Sequence, residues 1–274
     1  MPIFGRLHYR TSSNAISLAD FIVGVHVQDA VEFIQSDMTA FEPVEAANHV
    51  VDKYFPQCLT AILASGVLSG ARTPTSDLDI VAVLDGPPAP YRQTMTAHGW
   101  VVELFVHTRE SLHHFFDLDA QDQRCTLARM CTGYVLRDVT DLADSIQLEA
   151  QGVIDAGPPE LSVEQIDERR YHLTDLLDDF DGANDPDEII FIAGQLIHQA
   201  GGLALASQRR WRGTGKWMVR QLNEAGGDVA GRLAQSFRAF VVTGEKDELH
   251  EVVLEVLSLA GGPLTDGYVA KRVE

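Results

Sequence analysis

Hydrophobic and polar positions change their period along this chain. Over "VEAANHVVDKYF" the apolar residues recur at helical spacing, with Glu45 in the first turn. The period then shortens. "CLTAILA" (58–64), "LDIVAVL" (78–84) and "WVVELFVH" (100–107) are short apolar runs bounded by turn residues, the pattern of buried strands. "GPPAP" (86–90) interrupts them, "TRESLHHFF" predicts a helix capped by Thr108, and "YVLRD" (134–138) predicts a further short strand. From about residue 140 the pattern is helical, with segments at 161–180, 187–211, 215–243 in pieces, and 246–260. Gly194, Ala200, Gly201, Gly202 and Ala204 lower helix propensity in the longest of these and predict close helix packing. Residues 1–40 show mixed periodicity.

The expected architecture is an α/β (α+β) domain with a mixed sheet over 41–150, followed by an all-α helical-bundle domain over 151–274. Residues 1–40 form an extension of uncertain structure. The 274 residues suit one large domain or two small ones. Cys58, Cys125 and Cys131 include no CxxC pair, which argues against a disulfide framework and for a reducing compartment. With no signal-peptide pattern and no apolar run reaching the roughly 18 residues of a membrane span, the expected location is cytoplasmic, without a membrane partner. The net charge of −19 changes the picture most: it repels nucleic-acid phosphates and anionic lipid, and favours cationic small molecules or basic partners.

The chemistry concentrates in "ASGVLSGARTPTSDLDIVAVL" (64–84). Side chains alternate along a strand, so Asp77 and Asp79 share one face while Leu78 and Ile80 point into the core. Two carboxylates on one face repel unless a cation lies between them, and Mg²⁺ is the oxygen-seeking candidate. Glu103 is a lone acid inside an apolar strand, costly to bury without a partner. If its strand lies beside 77–84, it completes a three-carboxylate site able to hold two metal ions; the alternative is a structural ion pair with an arginine. Ser65, Gly66, Ser69 and Gly70 allow close backbone approach and aim N–H groups at anionic oxygens, with Ser76 a further donor before the acids.

These residues resemble the nucleotidyltransferase superfamily that includes DNA polymerase β and the small antibiotic nucleotidyltransferases. "TPTSDLDIVAVL" matches its Asp-x-Asp strand, and "WVVELFVHTRESL" is similar to the third-carboxylate strand of the kanamycin type. The resemblance implies metal ligation by Asp77, Asp79 and Glu103, ATP or another NTP as donor, and a helical domain closing over the acceptor. The order Ser65-Gly66 is the reverse of the family's Gly-Ser, which displaces the triphosphate-contacting serine by one residue.

"RRWRGTGKWMVRQL" (209–222) concentrates Arg209, Arg210, Arg212, Lys216 and Arg220 in an acidic chain. Lys216 at a helix start is a candidate for the β- or γ-phosphate; a basic turn neutralising nearby acids is the alternative. "GTGK" is no P-loop, because Arg210 and Trp217 occupy positions that need Gly and Ser/Thr. His198 and Glu188 are the candidates for a general base, and adjacent His113–His114 diverge on a helix and do not form a zinc site. Asp178, Asp179 and Asp181 either line a cationic acceptor pocket or form a solvated face. The expected activity is Mg²⁺-dependent transfer of a nucleoside monophosphate to a hydroxyl of a small cationic, aminoglycoside-like acceptor. A protein side chain as acceptor and a non-catalytic nucleotide-binding module are the rivals.

Overall fold

The computed structural model describes residues 41–68 and 72–270. The 1–40 extension and the candidate residues Ser69 and Gly70 lie outside them. In the first half, α1 (Pro43–Tyr54) leads into β1 (Thr60–Leu63), a short 3-10 turn (Ser65–Leu68), β2 (Leu78–Val83), β3 (Tyr91–Ala97) and β4 (Trp100–His107). Then come α2 (Arg109–Gln121), α3 (Thr126–Cys131), β5 (Tyr134–Asp138) and α4 (Ala143–Ala156). The rest is helical: α5 (Val163–Gly182), α6 (Pro186–Ala206), α7 (Lys216–Ala225), α8 (Val229–Thr243) and α9 (Asp247–Leu259).

The sheet has the order β3-β4-β2-β1-β5. β2 and β4 run parallel and the other neighbours antiparallel, so the sheet is mixed. Helix α1 covers one face, packing Ala46, Ala47 and Val50 with Leu63, Ile80 and Leu104. Helices α2, α3 and α4 cover the other, packing Leu112, Ala128 and Ile146 with Ile62, Val81 and Val83. A separate core, including Leu173, Leu196, Leu203, Leu233 and Val253, holds the helical half together. Each fully buried aliphatic side chain of this kind contributes about 1.5–3 kcal/mol.

Local chemistry sets the element ends. Thr108 caps α2 in a reciprocal box with Ser111. Ser162 and Gln165 do the same for α5. β3 and β4 join through a two-residue loop, His98-Gly99, with φ of 52° and 80°. Positive φ at both central positions gives the twist that matches flanking strands, and Gly99 takes it without a Cβ penalty. Gly133 sits where a Cβ would lie 2.0 Å from the Leu63 carbonyl oxygen, so a side chain there would push on the end of β1.

Three expectations change. β3 was not anticipated as a strand. The long C-terminal helix ends at Ala206 rather than 211, because the chain turns at Arg209 (φ 51°) and carries Trp211 into the core beneath α4, where its indole N–H donates to the Ile154 carbonyl at 2.9 Å. Helix α6 does reach the length and hydropathy of a membrane span. Its Ala193, Leu196, Ala200 and Leu203 are buried among the other helices. All three cysteines are buried and unbridged.

Candidate metal centre

The β2–β4 register places Asp79 directly opposite Glu103. In a parallel pair, directly opposed residues share a face, so both carboxylates stand on the side covered by α2–α4. Further along that face Val81 and Val83 are buried, whereas Asp79 and Glu103 are only partly so. The helical layer therefore stops short of the acids and leaves them reachable. Asp77, immediately before β2, joins them: ligand oxygens of Asp77, Asp79 and Glu103 all lie within 4.8 Å of one another. Among the described residues, no other group of three metal-ligating side chains converges in this way.

The electrostatics match a site built for a cation. Burial pushes the Asp79 carboxyl up to about 6, and the charges of Asp77 and Glu103 push it the same way. Arg92 on β3 opposes the shift. Its guanidinium donates to Glu103 Oε2 at 2.6 Å and lies over the Phe105 ring, 4.8 Å from its centroid. The arginine partner considered as an alternative for Glu103 is thus present, together with the convergence of the three acids. One exposed guanidinium neutralises one of three carboxylates and leaves the mutual repulsion of Asp77 and Asp79 in place. The remaining donor set is all carboxylate oxygen, which suits a hard divalent cation.

Arg92 then competes with a metal for Glu103. An ion pair with a well-exposed arginine is worth about 0–1 kcal/mol, so Arg92→Gln should tighten Mg²⁺ binding by about two- to five-fold. Titration calorimetry on the variant and the parent measures this. Weaker binding in the variant would mean that Arg92 instead orients Glu103 for the metal.

Ser65 and Gly66 of the candidate phosphate cradle lie at the same end of the sheet. Ala64 N–H donates to the Asp79 carbonyl at 2.9 Å, so the Ser65–Leu68 turn begins beside the acids. At Gly66 a Cβ would meet nothing within 4 Å, so this turn keeps open space on that side. Ser76 accepts from the Thr73 N–H at 2.9 Å, closing the loop that delivers Asp77. Arg72 lies over Trp100, 4.4 Å from its ring, and 3.9 Å from Glu42. Beyond Glu103 a mainly apolar cavity of about 300 Å³ opens over Phe105 and His107, with Arg92 and Phe115 in its walls. Burial holds His107 down to about 4, so its ring is neutral at pH 7.

The other candidates are elsewhere. Lys216 is exposed at the start of α7, and no hydrogen bond or ion pair among the described residues ties it to the acids. The Glu188 N–H is capped by Asp185 in the first turn of α6. His198 is exposed on α6, beside Arg169, His172 and Arg212. His113 pairs with Glu149. Asp178 and Asp179 are solvated, and Asp181 pairs with His250 at 2.9 Å. Arg92, Phe105 and His107 carried no signal by residue type. The "HG" between "YRQTMTA" and "WVVELFVH" is the hairpin mark that would have placed Arg92 beside Glu103.

No family model matches the chain, and no curated protein matches it. Among solved structures it is similar to a nucleotidyltransferase-like protein from Exiguobacterium sibiricum 255-15. The two are 13% identical, with a TM-score of 0.42 over 80% of this chain and 74% of that one. At that distance the chemistry of the acidic centre stands on its own geometry.

Proposed function

We propose that this chain is a metal-dependent nucleotidyltransferase. It binds Mg²⁺, in one or two ions, at Asp77, Asp79 and Glu103, and transfers a nucleoside monophosphate from an NTP, ATP in the first instance, to a hydroxyl with release of pyrophosphate. The observation that carries this reading is the convergence of three carboxylates, from two parallel neighbouring strands, within 4.8 Å at an open end of the sheet. A divalent cation held there lowers the pKa of an attacking hydroxyl and offsets the charge on the transferring phosphoryl group.

The chain's own groups divide the remaining work. Asp77 and Asp79 present oxygens from one short segment whose register is fixed by β2. Glu103 supplies the third carboxylate from β4, and its Oε2 accepts from Arg92. The Ser65–Leu68 turn, pinned to Asp79, offers backbone N–H groups for donor phosphates. The net charge of −19 favours a small cationic acceptor such as a hydroxylated amine, and disfavours nucleic acid.

The test is pyrophosphate release with each NTP and Mg²⁺ across a panel of hydroxylated amines, aminoglycosides included. Release that requires both metal and one acceptor class supports the reading. Nucleotide bound without release across the panel would make the chain a non-catalytic binding module. Label from α-phosphate-labelled ATP appearing on a polypeptide would move the acceptor to a protein side chain.

A further inference from the structure

A second cavity, polar and of about 290 Å³, lies where the first half meets the helical half. Three arginines from three separate segments line it: Arg124 after α2, Arg169 on α5 and Arg212 between α6 and α7. Its geometry is built from beneath. Gln123 is buried with φ at 60°; its carbonyl accepts from the Arg212 N–H at 2.7 Å, and its side-chain amide donates to the Pro159 carbonyl at 3.0 Å. One buried residue thereby ties together the segments that carry Arg124 and Arg212 and the stretch leading into α5.

Among the described residues, the charge in this cavity is not balanced. Asp122 is the carboxylate in its lining, and it pairs with Arg124 at 2.6 Å. The Arg124 Nε is buried and, among the described residues, has no hydrogen-bond partner. Among the described residues, neither Arg169 nor Arg212 forms an ion pair. Burial and the neighbouring Arg212 both lower the Arg169 pKa, with Glu168 acting the other way. The same two arginines also wall an adjoining cavity of about 270 Å³ that His172 and His198 help to line. Like charges held together in a partly desolvated pocket cost stability unless a counter-ion joins them. In a chain of net charge −19, this clustering is the reverse of what the background predicts.

We propose that the Arg124–Arg169–Arg212 cavity is a binding site for a phosphate-bearing anion, separate from the acidic metal centre. Guanidinium groups present forked donors that match phosphate oxygens, and three of them against one carboxylate leave an excess of positive charge suited to a dianion. The site holds whether or not the acidic centre carries metal, so the two readings fail separately.

The test is titration calorimetry of metal-stripped, full-length protein in chelator-free, low-salt buffer, with inorganic phosphate, pyrophosphate and ATP as separate probes. Saturable one-to-one binding is expected, weakened by about tenfold or more in Arg212→Gln and in Arg169→Gln. It should be unchanged in Asp79→Asn, which disables only the metal centre. Arg212 is exposed, so its variant remains informative if Arg169→Gln fails to fold. ATP binding as tightly as pyrophosphate would identify the phosphate chain of a nucleotide; phosphate and pyrophosphate binding without ATP would identify a free anion. No saturable binding by any probe, or equal affinity in parent and Arg212→Gln protein, overturns the proposal.

Discussion

Replacing Asp79 by asparagine will raise the stability of the metal-free protein at pH 7–8 and remove its stabilisation by Mg²⁺. In the folded chain the Asp79 carboxyl is pushed up to about 6, from an ordinary value of 3.8, by burial and by its acidic neighbours. The folded state therefore holds more protons than the unfolded state between about pH 4 and 6. Stability falls as pH rises through that window, and the penalty is complete above it. Partial exposure reduces the figure, which is on the order of 1–3 kcal/mol. Asparagine is neutral at every pH, so it lifts the penalty. Denaturant unfolding of metal-stripped protein should show the variant more stable at pH 7.5, with the two proteins converging towards pH 4. Thermal melts should move up by about 2–4 °C per kcal/mol in a chain of this size. Added Mg²⁺ should raise the parent and leave the variant unmoved. A variant less stable than the parent at pH 7.5 would show that Asp79 is a satisfied structural acid.

That prediction depends on a placement that was readable in the chain. The period of two in "SDLDIV" puts Asp77 and Asp79 on one face without any tertiary information. Glu103 stood out because a carboxylate between Val102 and Leu104 breaks an apolar strand. Its register against Asp79 was not readable. It depends on which strands pair and in which direction, and β3, at the sheet edge with Arg92, Gln93 and Thr94 exposed, has no alternation of apolar residues to mark its hairpin with β4. Arg92 was hidden with it. The arginine cavity was hidden for another reason. Arg124, Arg169 and Arg212 are 88 residues apart at their extremes, and a buried glutamine with no composition signal brings them together. Helix α3, six residues long, is too short to show helical periodicity, although its Leu127, Ala128 and Cys131 pack against the sheet. What the period of apolar positions did report was the overall division into a strand-rich first half and a helical second half, which the structure gives separate cores.

Removing one charge from the acidic centre should cost far more in turnover than in folding. Asp77→Asn, Asp79→Asn and Glu103→Gln each keep the side-chain volume and remove one of the three carboxylates that share the metal. If the three act as one unit, each single change should lower Mg²⁺-dependent pyrophosphate release by about 10³-fold, and the double change Asp79→Asn with Glu103→Gln should add little more. Non-additivity is the informative part. Independent contributions would multiply, whereas a shared cation is lost once. Glu103 also has a partner of its own, Arg92. Glu103→Gln releases that guanidinium, so pairing it with Arg92→Gln separates loss of a metal ligand from exposure of an unbalanced cation. Turnover that stays low in the pair assigns the loss to the ligand; recovery to near the parent rate would show that Glu103 serves only to hold Arg92, and the three-carboxylate centre would be reduced to Asp77 and Asp79.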